Sequence, residues 1–194
     1  KYVTKLLERY SRKELNKDFG VGMNPEFLRE GSAVFDFMNP DRIIFGGSCN
    51  KTHDIMDQIY AKFKKVDKIK TNNKTAEMIK YVNNSFLATT ISFSNEIGNL
   101  CSRIEGVDAL DVMKGVHLDN RISPILNSKR VIGGITTYMK PGCGYGGSCF
   151  PKDTNSLVSY AKEKKYKMKI LETVIETNDV QHNEIIKIIK SNFK

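Results

Sequence analysis

The longest regular pattern in this chain of 194 residues runs from Thr75 to about Arg103. Apolar residues recur there at helical spacing on a broad face. About thirty residues at a rise of about 1.5 Å span about 45 Å, more than a small domain needs for itself. The pattern therefore predicts a long helix that packs against a partner. Its apolar positions are Ile79, Val82, Phe86, Leu87, Ile91, Phe93 and Ile97.

Strands alternate with helices before this long helix, which is typical of a parallel sheet. Mostly helical sequence follows it, which predicts a second, helical region. The predicted helices are 3–15, 31–38, 51–64, 75–103, 108–116 and one or two within 155–189, and the predicted strands are 18–23, 42–46 and 66–70.

One cysteine lies in an unusual run, Gly146-Gly147-Ser148-Cys149-Phe150-Pro151-Lys152-Asp153. Its thiol follows a glycine turn and precedes a proline that suits the first position of a helix. Unpaired backbone N–H groups and the helix dipole at such a position stabilise negative charge on sulfur. Asp153 follows one helical turn later on the same face. The run predicts a covalent nucleophile with an acid/base partner, against the alternative of a buried cysteine beside a turn.

Two pairs of polar residues have the spacing of one helical turn. Lys80 and Asn84 lie on one face of the long helix. Two interpretations are open: an electrophilic pocket that donates to an oxyanion, or a polar stripe that faces solvent. Glu26 and Glu30 share the same spacing, and Pro25 is placed to open a helix there. A charged helix cap is the alternative for this pair.

Composition limits the classes of function. A hydrophobic content of 40% supports a packed core, and no apolar run is long enough to cross a membrane. The net charge is +9, but the lysines at 62–70 and 162–169 lie among helical apolar positions. This favours a solvated surface over nucleic-acid binding, and part of the charge can serve an anionic ligand. Cys49, Cys101, Cys143 and Cys149 have no metal-ligand spacing, so we expect free thiols in the cytoplasm and no metal, membrane or nucleic-acid partner.

Three segments resemble one family in the order in which that family has them. Residues 142–153 resemble the active-site loop of the UDP-glucose/GDP-mannose dehydrogenases. Residues 24–31 resemble the substrate-contacting turn of that family, and residues 76–84 resemble the start of its long central helix. Because the similarity runs through nearly the whole chain, the chain is identified as a member.

The resemblance implies an α/β remnant of a Rossmann domain, followed by a mostly α-helical central dimerisation domain with a long helix. We expect the first at 1–72, as the C-terminal part of the NAD-binding domain, and the second at 73–194. No strand–glycine turn–helix for a pyrophosphate occurs in 1–23. Gly142, Gly144 and Gly147 match the spacing G-x-G-x-x-G, but no predicted strand leads into them. We therefore expect a chain truncated at both ends.

The family's reaction is an NAD-dependent, four-electron oxidation of a sugar's primary alcohol to a carboxylate. The resemblance implies UDP-glucose as substrate, with UDP-N-acetylmannosamine and related sugars as alternatives. Cys149 would hold a thiohemiacetal and then a thioester, and Glu26 would be the general base or proton shuttle. Lys80 and Asn84 would stabilise oxyanions, while Asp153 would orient water and act through Lys80.

The resemblance also implies the binding residues. Those expected at NAD are Glu30, Cys149, Phe150, Pro151 and Lys152. Those expected at the nucleotide sugar are Glu26, Phe27, Leu28, Arg29, Glu30, Lys80, Asn84, Arg121, Lys140, Pro141, Gly142, Cys143, Gly144, Tyr145 and Gly146.

Arg121 resembles an arginine that reaches the substrate from the other subunit of a homodimer. The gap from Arg121 to Cys149 is longer than the family usually has, and residues 125–134 are the expected insertion. Arg130, within that insertion, is the alternative to Arg121. A different class of function also stays open, in which these 194 residues are an inactive helical dimerisation fragment.

Overall fold

The computed structural model describes residues 2–193 and divides them into two compact units, the first ending at Lys80 and the second beginning at Tyr81. The predicted long helix is α4 (Asn73–Cys101), which begins in the first unit and continues into the second. The predicted domain boundary between 72 and 73 stays a prediction. Among the helices of residues 2–193, none combines the length and hydrophobicity that crossing a membrane requires.

The first unit alternates helices with strands. Its central strand pairs in parallel with the strand that follows it, with Ile44 opposite Ile69. Ile43, Ile44 and Phe45 of the central strand are almost entirely buried, which is typical of a strand covered on both faces. In chain order the elements are α1 (Tyr2–Ser11), β1 (Gly22–Met23), α2 (Ala33–Met38), β2 (Arg42–Gly47), α3 (Asn50–Ile59) and β3 (Asp67–Thr71), and the sheet order is β1-β2-β3.

The sequence-based elements of this unit need four corrections. The prediction of a parallel sheet is right for β2 and β3 and wrong for β1, which pairs antiparallel with β2. The helix predicted at 3–15 ends at Ser11, because Arg12 has a φ of 55°, a left-handed conformation that interrupts the helix. The strand predicted at 18–23 is confined to β1, and the helix predicted at 51–64 ends at Ile59.

The helix expected to carry Glu26 and Glu30 is also wrong, because residues 24–29 have no helical structure. The Glu26 carboxylate accepts a hydrogen bond from the backbone N–H of Leu28 at 2.8 Å. Such a local side-chain bond gives the backbone an alternative to a helical turn. The two glutamates therefore do not share a helix face.

The second unit is mainly helical. Asp108 caps α5, since its carboxylate accepts from the backbone N–H groups of Leu110 and Asp111 at 2.7 and 3.0 Å. Two apolar clusters form its core: Leu157, Val158 and Leu171 in one, and Ala88, Tyr145 and Val174 in the other. The elements are α5 (Ala109–His117), β4 (Ile125–Leu126), β5 (Lys129–Arg130), a 3₁₀ helix (Gly134–Tyr138), α6 (Phe150–Glu163) and α7 (Lys169–Asn192).

Helix α4 buries small and polar side chains and exposes large apolar ones. Five large apolar residues recur on one side of the helix at intervals of four and seven residues, each with between 39% and 58% of its surface exposed. We call this set the outer stripe; it consists of Met78, Val82, Phe86, Phe93 and Leu100. The side chains that α4 buries include Asn84, Ser85, Ala88, Ser92 and Asn95. A contiguous exposed apolar stripe of this kind is typical of an interface.

Gly98 of α4 allows a close approach of the chain at Pro141. A Cβ added at Gly98 would lie 2.5 Å from the Pro141 Cβ, and a proline ring cannot swing away. We expect Gly98→Ala to lower the free energy of unfolding by about 1–2 kcal/mol, since overpacking outweighs the better helix propensity of alanine.

Gly115→Ala is the matched control, because a Cβ at this position of α5 meets nothing within 4 Å. It should raise the free energy of unfolding by about 0.5–1 kcal/mol. Urea unfolding of both variants measures the two changes, and equal effects would contradict the packing at Pro141.

Candidate active site

Cys149 lies at the start of α6, as the sequence predicts. It occupies the N-cap position, and Pro151 lies within the first two helical positions. The backbone N–H of Asp153 donates to the Cys149 carbonyl oxygen at 2.8 Å and closes the first turn. The thiol is half-buried, and its sulfur lies 3.6 Å from the Ser148 hydroxyl oxygen. The expected spacing of one helical turn between Cys149 and Asp153 is therefore present.

The Asp153 carboxylate is buried, with only 1% of the residue exposed, and both of its oxygens are hydrogen-bonded. Asn84 of α4 donates its Nδ2 to Oδ2 at 2.6 Å, and Lys152 donates its Nζ to Oδ1 at 2.7 Å. The hydrogen bond to Asp153 raises the pKa of the Lys152 ammonium above its ordinary value. A buried carboxylate needs such donors, since an unpaired charge is strongly disfavoured in the interior. The sequence missed the pairing of Lys152 with Asp153.

Lys80 joins α4 to the turn that contains Glu26. Its Nζ lies 2.6 Å from the Glu26 carbonyl oxygen and 2.5 Å from the Glu26 Oε1. Two cations lie near the Phe27 ring: Lys80 Nζ is 5.9 Å and the Arg42 guanidinium is 4.2 Å from its centroid. On the helix itself, Lys80 precedes Asn84 by one turn.

Arg29 is held by a residue that the sequence did not single out. Its Nε and Nη2 donate to the two oxygens of Asp36 at 3.0 and 2.5 Å, and its backbone N–H donates to the same carboxylate. These hydrogen bonds hold the pKa of the Asp36 carboxyl well below its usual range. Leu28 and Glu30, the neighbours of Arg29, are exposed.

Amide side chains of α4 and α7 hold the loop before Cys149 by its main chain. Gly142 donates its N–H to Asn95 Oδ1 at 2.7 Å, and its carbonyl oxygen accepts from Gln181 Nε2 at 2.8 Å. Asn178 forms two hydrogen bonds to the backbone of Tyr145, at 2.7 and 3.1 Å. The sequence analysis did not single out these three amides. The one signal for them in the sequence is a polar side chain at a helical position where the spacing predicts an apolar residue.

The glycines of this loop differ in what the fold requires of them. Gly144 has a φ of 98°, and a Cβ there would lie 2.6 Å from Asn178 Oδ1, so the fold requires glycine. A Cβ at Gly142 or Gly146 would meet nothing within 4 Å, and neither residue has a positive φ. The fold therefore leaves open space at these two positions. The segment before the loop is a 3₁₀ helix, and no strand leads into it, as predicted.

The structure distinguishes the two candidate arginines. The Arg121 side chain is 90% exposed and forms an ion pair with Asp119 at 2.6 Å. Hydrogen bonds from Arg121 hold the pKa of the Asp119 carboxyl well below its usual range. Arg130 donates instead to carbonyl oxygens of the chain itself, those of Leu118 and Ser123. Both arginines are exposed, so what separates them is the partner: a carboxylate for Arg121 and main-chain carbonyl oxygens for Arg130.

The expected insertion contains a β-hairpin made by β4 and β5. Ile125 pairs with Arg130, and Leu126 pairs with Lys129. The two residues between the strands, Asn127 and Ser128, have φ values of 50° and 62°. Positive φ at both central residues is the signature of the turn that suits two-residue hairpins.

The pairing of Asn84 with Asp153 predicts a pH-dependent loss of stability in Asn84→Asp. The new carboxylate would face Asp153 in a buried site, which raises the pKa of the pair above that of an unfolded Asp. Protonation then stabilises the folded variant at low pH, and this stabilisation is lost as the pH rises through the raised pKa. We expect a loss of about 3 kcal/mol near pH 8 and a smaller loss near about pH 5.

Urea unfolding at the two pH values measures the difference. Asn84→Ala is the control, because it removes the donor without adding a charge, and its loss should vary less with pH. An equal loss in Asn84→Asp at both pH values would contradict the close contact with Asp153.

Both halves of the chain match one family of known proteins. Residues 74–180 match the central domain of the UDP-glucose/GDP-mannose dehydrogenase family, and residues 1–64 match its NAD binding domain. UDP-glucose 6-dehydrogenase TuaD of Bacillus subtilis is 46% identical over 168 residues, which are 87% of this chain and 33% of the relative. UDP-glucose 6-dehydrogenase AglM of Haloferax volcanii is 35% identical over 193 residues, 96% of this chain and 41% of the relative.

Solved structures agree with these matches. The UDP-glucose dehydrogenase of Pyrobaculum islandicum superposes with a TM-score of 0.72 at 40% identity, over 83% of this chain and 34% of the other. The GDP-mannose dehydrogenase of Pseudomonas aeruginosa gives a TM-score of 0.58 at 35% identity, over 97% of this chain and 41% of the other. This chain thus spans roughly a third to two fifths of the length of these proteins. Since the two family matches take up most of the sequence, the chain belongs to the UDP-glucose/GDP-mannose dehydrogenase family.

Proposed function

We propose that the protein containing this chain is an NAD-dependent dehydrogenase that oxidises the C6 alcohol of UDP-glucose to a carboxylate. Family membership and the names of the relatives support this reaction. The observation that carries the proposal is the half-buried Cys149 thiol at a helix start, one turn from a buried, doubly hydrogen-bonded Asp153. A thiol in that setting suits covalent catalysis.

In the proposed reaction the Cys149 sulfur attacks the carbon of the sugar aldehyde that the first oxidation produces. A C–S bond forms, the S–H bond breaks, and its proton passes to the carbonyl oxygen to give a thiohemiacetal. Loss of that proton and of a hydride from the same carbon gives a thioester. Water then cleaves the C–S bond, which releases the carboxylate and returns the thiol. NAD, when bound, accepts one hydride in each of the two oxidations.

Lys80 and Asn84 are the proposed donors to the oxygen that gains negative charge at each stage. The Lys80 side chain is only 15% exposed, and partial removal from water strengthens the attraction of a cation for an oxyanion. Glu26 is the proposed general base or proton shuttle, because its carboxylate contacts Lys80 and is 54% exposed to water. Asp153 is proposed to orient the attacking water and, through their hydrogen bond, Asn84. Its expected control of proton transfer through Lys80 stays a prediction.

Five residues are proposed at the nicotinamide end of NAD because their segments resemble those of the family. Phe150 and Pro151 are half-buried rings beside Cys149, and the Lys152 side chain is a 63% exposed cation. Glu30 is exposed in the turn that follows Phe27. These four residues and Cys149 would hold the nicotinamide end of the cofactor.

The two glycines that end β2, shortly before α3, do not leave the space that a pyrophosphate needs. A Cβ at Gly46 would lie 2.6 Å from the Asn73 Cα, and one at Gly47 would overlap the His53 ring. The protein itself fills the space at both positions, so these glycines serve packing. Among residues 2–193, no other strand leads into a glycine-rich turn and a helix.

The loop before Cys149 is the proposed binding surface for the nucleotide sugar. The open space at Gly142 and Gly146 supports this role, because the fold itself does not demand glycine there. Glycine at such positions lets a ligand approach the backbone closely. The resemblance extends the proposed contacts with the nucleotide sugar to further residues. These are Lys140, Pro141, Cys143, Gly144 and Tyr145 of the loop, and Phe27, Leu28 and Arg29 of the first unit.

A homodimer through α4 is part of the proposal. The outer stripe exposes large apolar side chains on one side of the helix, and burial against a second copy would remove them from water. Arg121, whose side chain extends into solvent, is proposed to reach the nucleotide sugar of the other subunit. The outer stripe also supports the alternative, in which these 194 residues only dimerise. NADH formation from UDP-glucose by the 194-residue polypeptide would rule it out.

The covalent role of Cys149 predicts that Cys149→Ala loses the second oxidation. We expect kcat for formation of the carboxylate to fall by at least about 10³-fold, since the aldehyde can no longer be held on sulfur. NADH formed per UDP-glucose, measured spectrophotometrically with limiting sugar in the complete protein, should fall from two toward one or none.

Cys49→Ser is the control, because this second half-buried thiol lies at the start of α3 in the first unit. It should keep two NADH per sugar. A Cys149→Ala protein with the same stoichiometry would contradict the covalent role.

The outer stripe predicts that Phe86→Glu weakens the dimer. A charge within an apolar interface should raise the dimer dissociation constant by about 30-fold or more. Sedimentation over a range of protein concentrations measures this constant. Ile170→Glu, at an exposed apolar residue of α7, is the control and should leave the dimer intact. A wild-type monomer at micromolar concentration would refute the proposed dimer.

A further inference from the structure

One nitrogen of Arg130 joins the two ends of the turn that contains Arg121. We call residues 118–123 the Arg121 turn. Arg130 Nη1 lies 2.7 Å from the carbonyl oxygen of Leu118, at the start of the turn, and 2.8 Å from that of Ser123, at its end. It also contacts the side-chain oxygen of Asn120 at 3.3 Å. An always-charged donor bridging two carbonyl oxygens restricts the motion of the segment between them.

The hairpin brings Arg130 to this position. Arg130 pairs with Ile125 across β4 and β5. The next residue, Val131, donates its N–H to the carbonyl oxygen of Pro124 at 2.8 Å. The strand that carries Arg130 therefore lies directly beside the end of the Arg121 turn. Ser123 is completely buried there and also accepts a hydrogen bond from the backbone of Gly133.

Within the turn, the Arg121 guanidinium is oriented by Asp119. Arg121 Nε and Nη2 donate to the two Asp119 oxygens at 2.9 and 2.6 Å. Asp119 also accepts the backbone N–H of Arg121 at 2.8 Å. The direction of Arg121 thus depends on the conformation of the turn, which Arg130 bridges.

We propose that Arg130 is a positioning residue for Arg121, an inference that rests on the proposed contact of Arg121 with the nucleotide sugar. The expected insertion then has a role in the reaction, since it provides the arginine that holds the Arg121 turn in one conformation. A turn that is ordered before binding loses less entropy when the nucleotide sugar binds. Small displacements of a positioned group also reduce rates strongly.

The test is a double-mutant cycle in the complete protein, with UDP-glucose as substrate. We expect Arg121→Ala to lower kcat/KM about 100-fold and Arg130→Ala to lower it about 10-fold. In the Arg121→Ala background, Arg130→Ala should change kcat/KM by less than about twofold, because it acts only through Arg121. The Arg130 effect should also be an increase in KM for UDP-glucose, with KM for NAD unchanged.

Arg130→Lys tests the bridge where Arg130→Ala does not fold. The lysine ammonium lacks the planar set of N–H donors of the Arg130 guanidinium, so this variant should also lower kcat/KM, by about 10-fold. Lys129→Ala is the control, because this neighbour in β5 is exposed and outside the proposed site; it should keep the wild-type kcat/KM.

The outcomes separate the inference from the proposed function. No activity on UDP-glucose in the wild type, or no effect of Arg121→Ala, would refute the proposed function or the proposed role of Arg121. If Arg121→Ala is impaired, wild-type kcat/KM in Arg130→Lys would overturn the positioning role. The positioning role would also be overturned if the losses of kcat/KM from the two single substitutions multiply in the double mutant. Multiplying losses indicate that Arg130 acts independently of Arg121, as a purely structural residue does.

Discussion

The buried Asp153 carboxylate is the interaction on which the proposed active site depends. A charge that is almost fully removed from water requires donors, and Asn84 and Lys152 supply them. Lys152 and Asp153 belong to α6 and Asn84 belongs to α4, so the hydrogen bond between Asn84 and Asp153 connects the two helices. Because the Asp153 N–H also closes the first turn of α6 on Cys149, the same residue fixes the backbone that presents the thiol.

Helix α4 can serve this site because of the side chains that it buries. Its inner positions are small or polar, so that the loop before Cys149 approaches closely at Gly98 and Gly142 is bound by Asn95. Large apolar residues would fill that space and provide no hydrogen bonds. They occupy the outer stripe instead, where a second copy of the chain would cover them. One helix thus combines a polar inner face, which orders the site, with an apolar outer face.

Several features were predictable because they depend on neighbouring residues. The start of α6 follows from glycine, cysteine and proline in one short run, and the length of α4 follows from a repeated spacing. The helix predicted at Glu26 and Glu30 was wrong because spacing does not reveal that the Glu26 carboxylate bonds to the Leu28 N–H. The partners of Arg121 and Arg130 also lay outside the sequence, since both residues are arginines of one connecting segment. Their different partners follow from the hairpin, which brings Arg130 beside the carbonyl oxygens of the Arg121 turn.

The sequence by itself determined the family, the order of its motifs and the position of Cys149 one turn before Asp153, because these are properties of adjacent residues along the chain. The tertiary structure decided which groups meet: Asn84 with Asp153, Asn178 with the backbone of Tyr145, and Arg130 with the ends of the Arg121 turn. These partners are separated by between seven and 69 residues in the chain. Such pairings depend on how helices and loops pack, and local spacing carries no information about them.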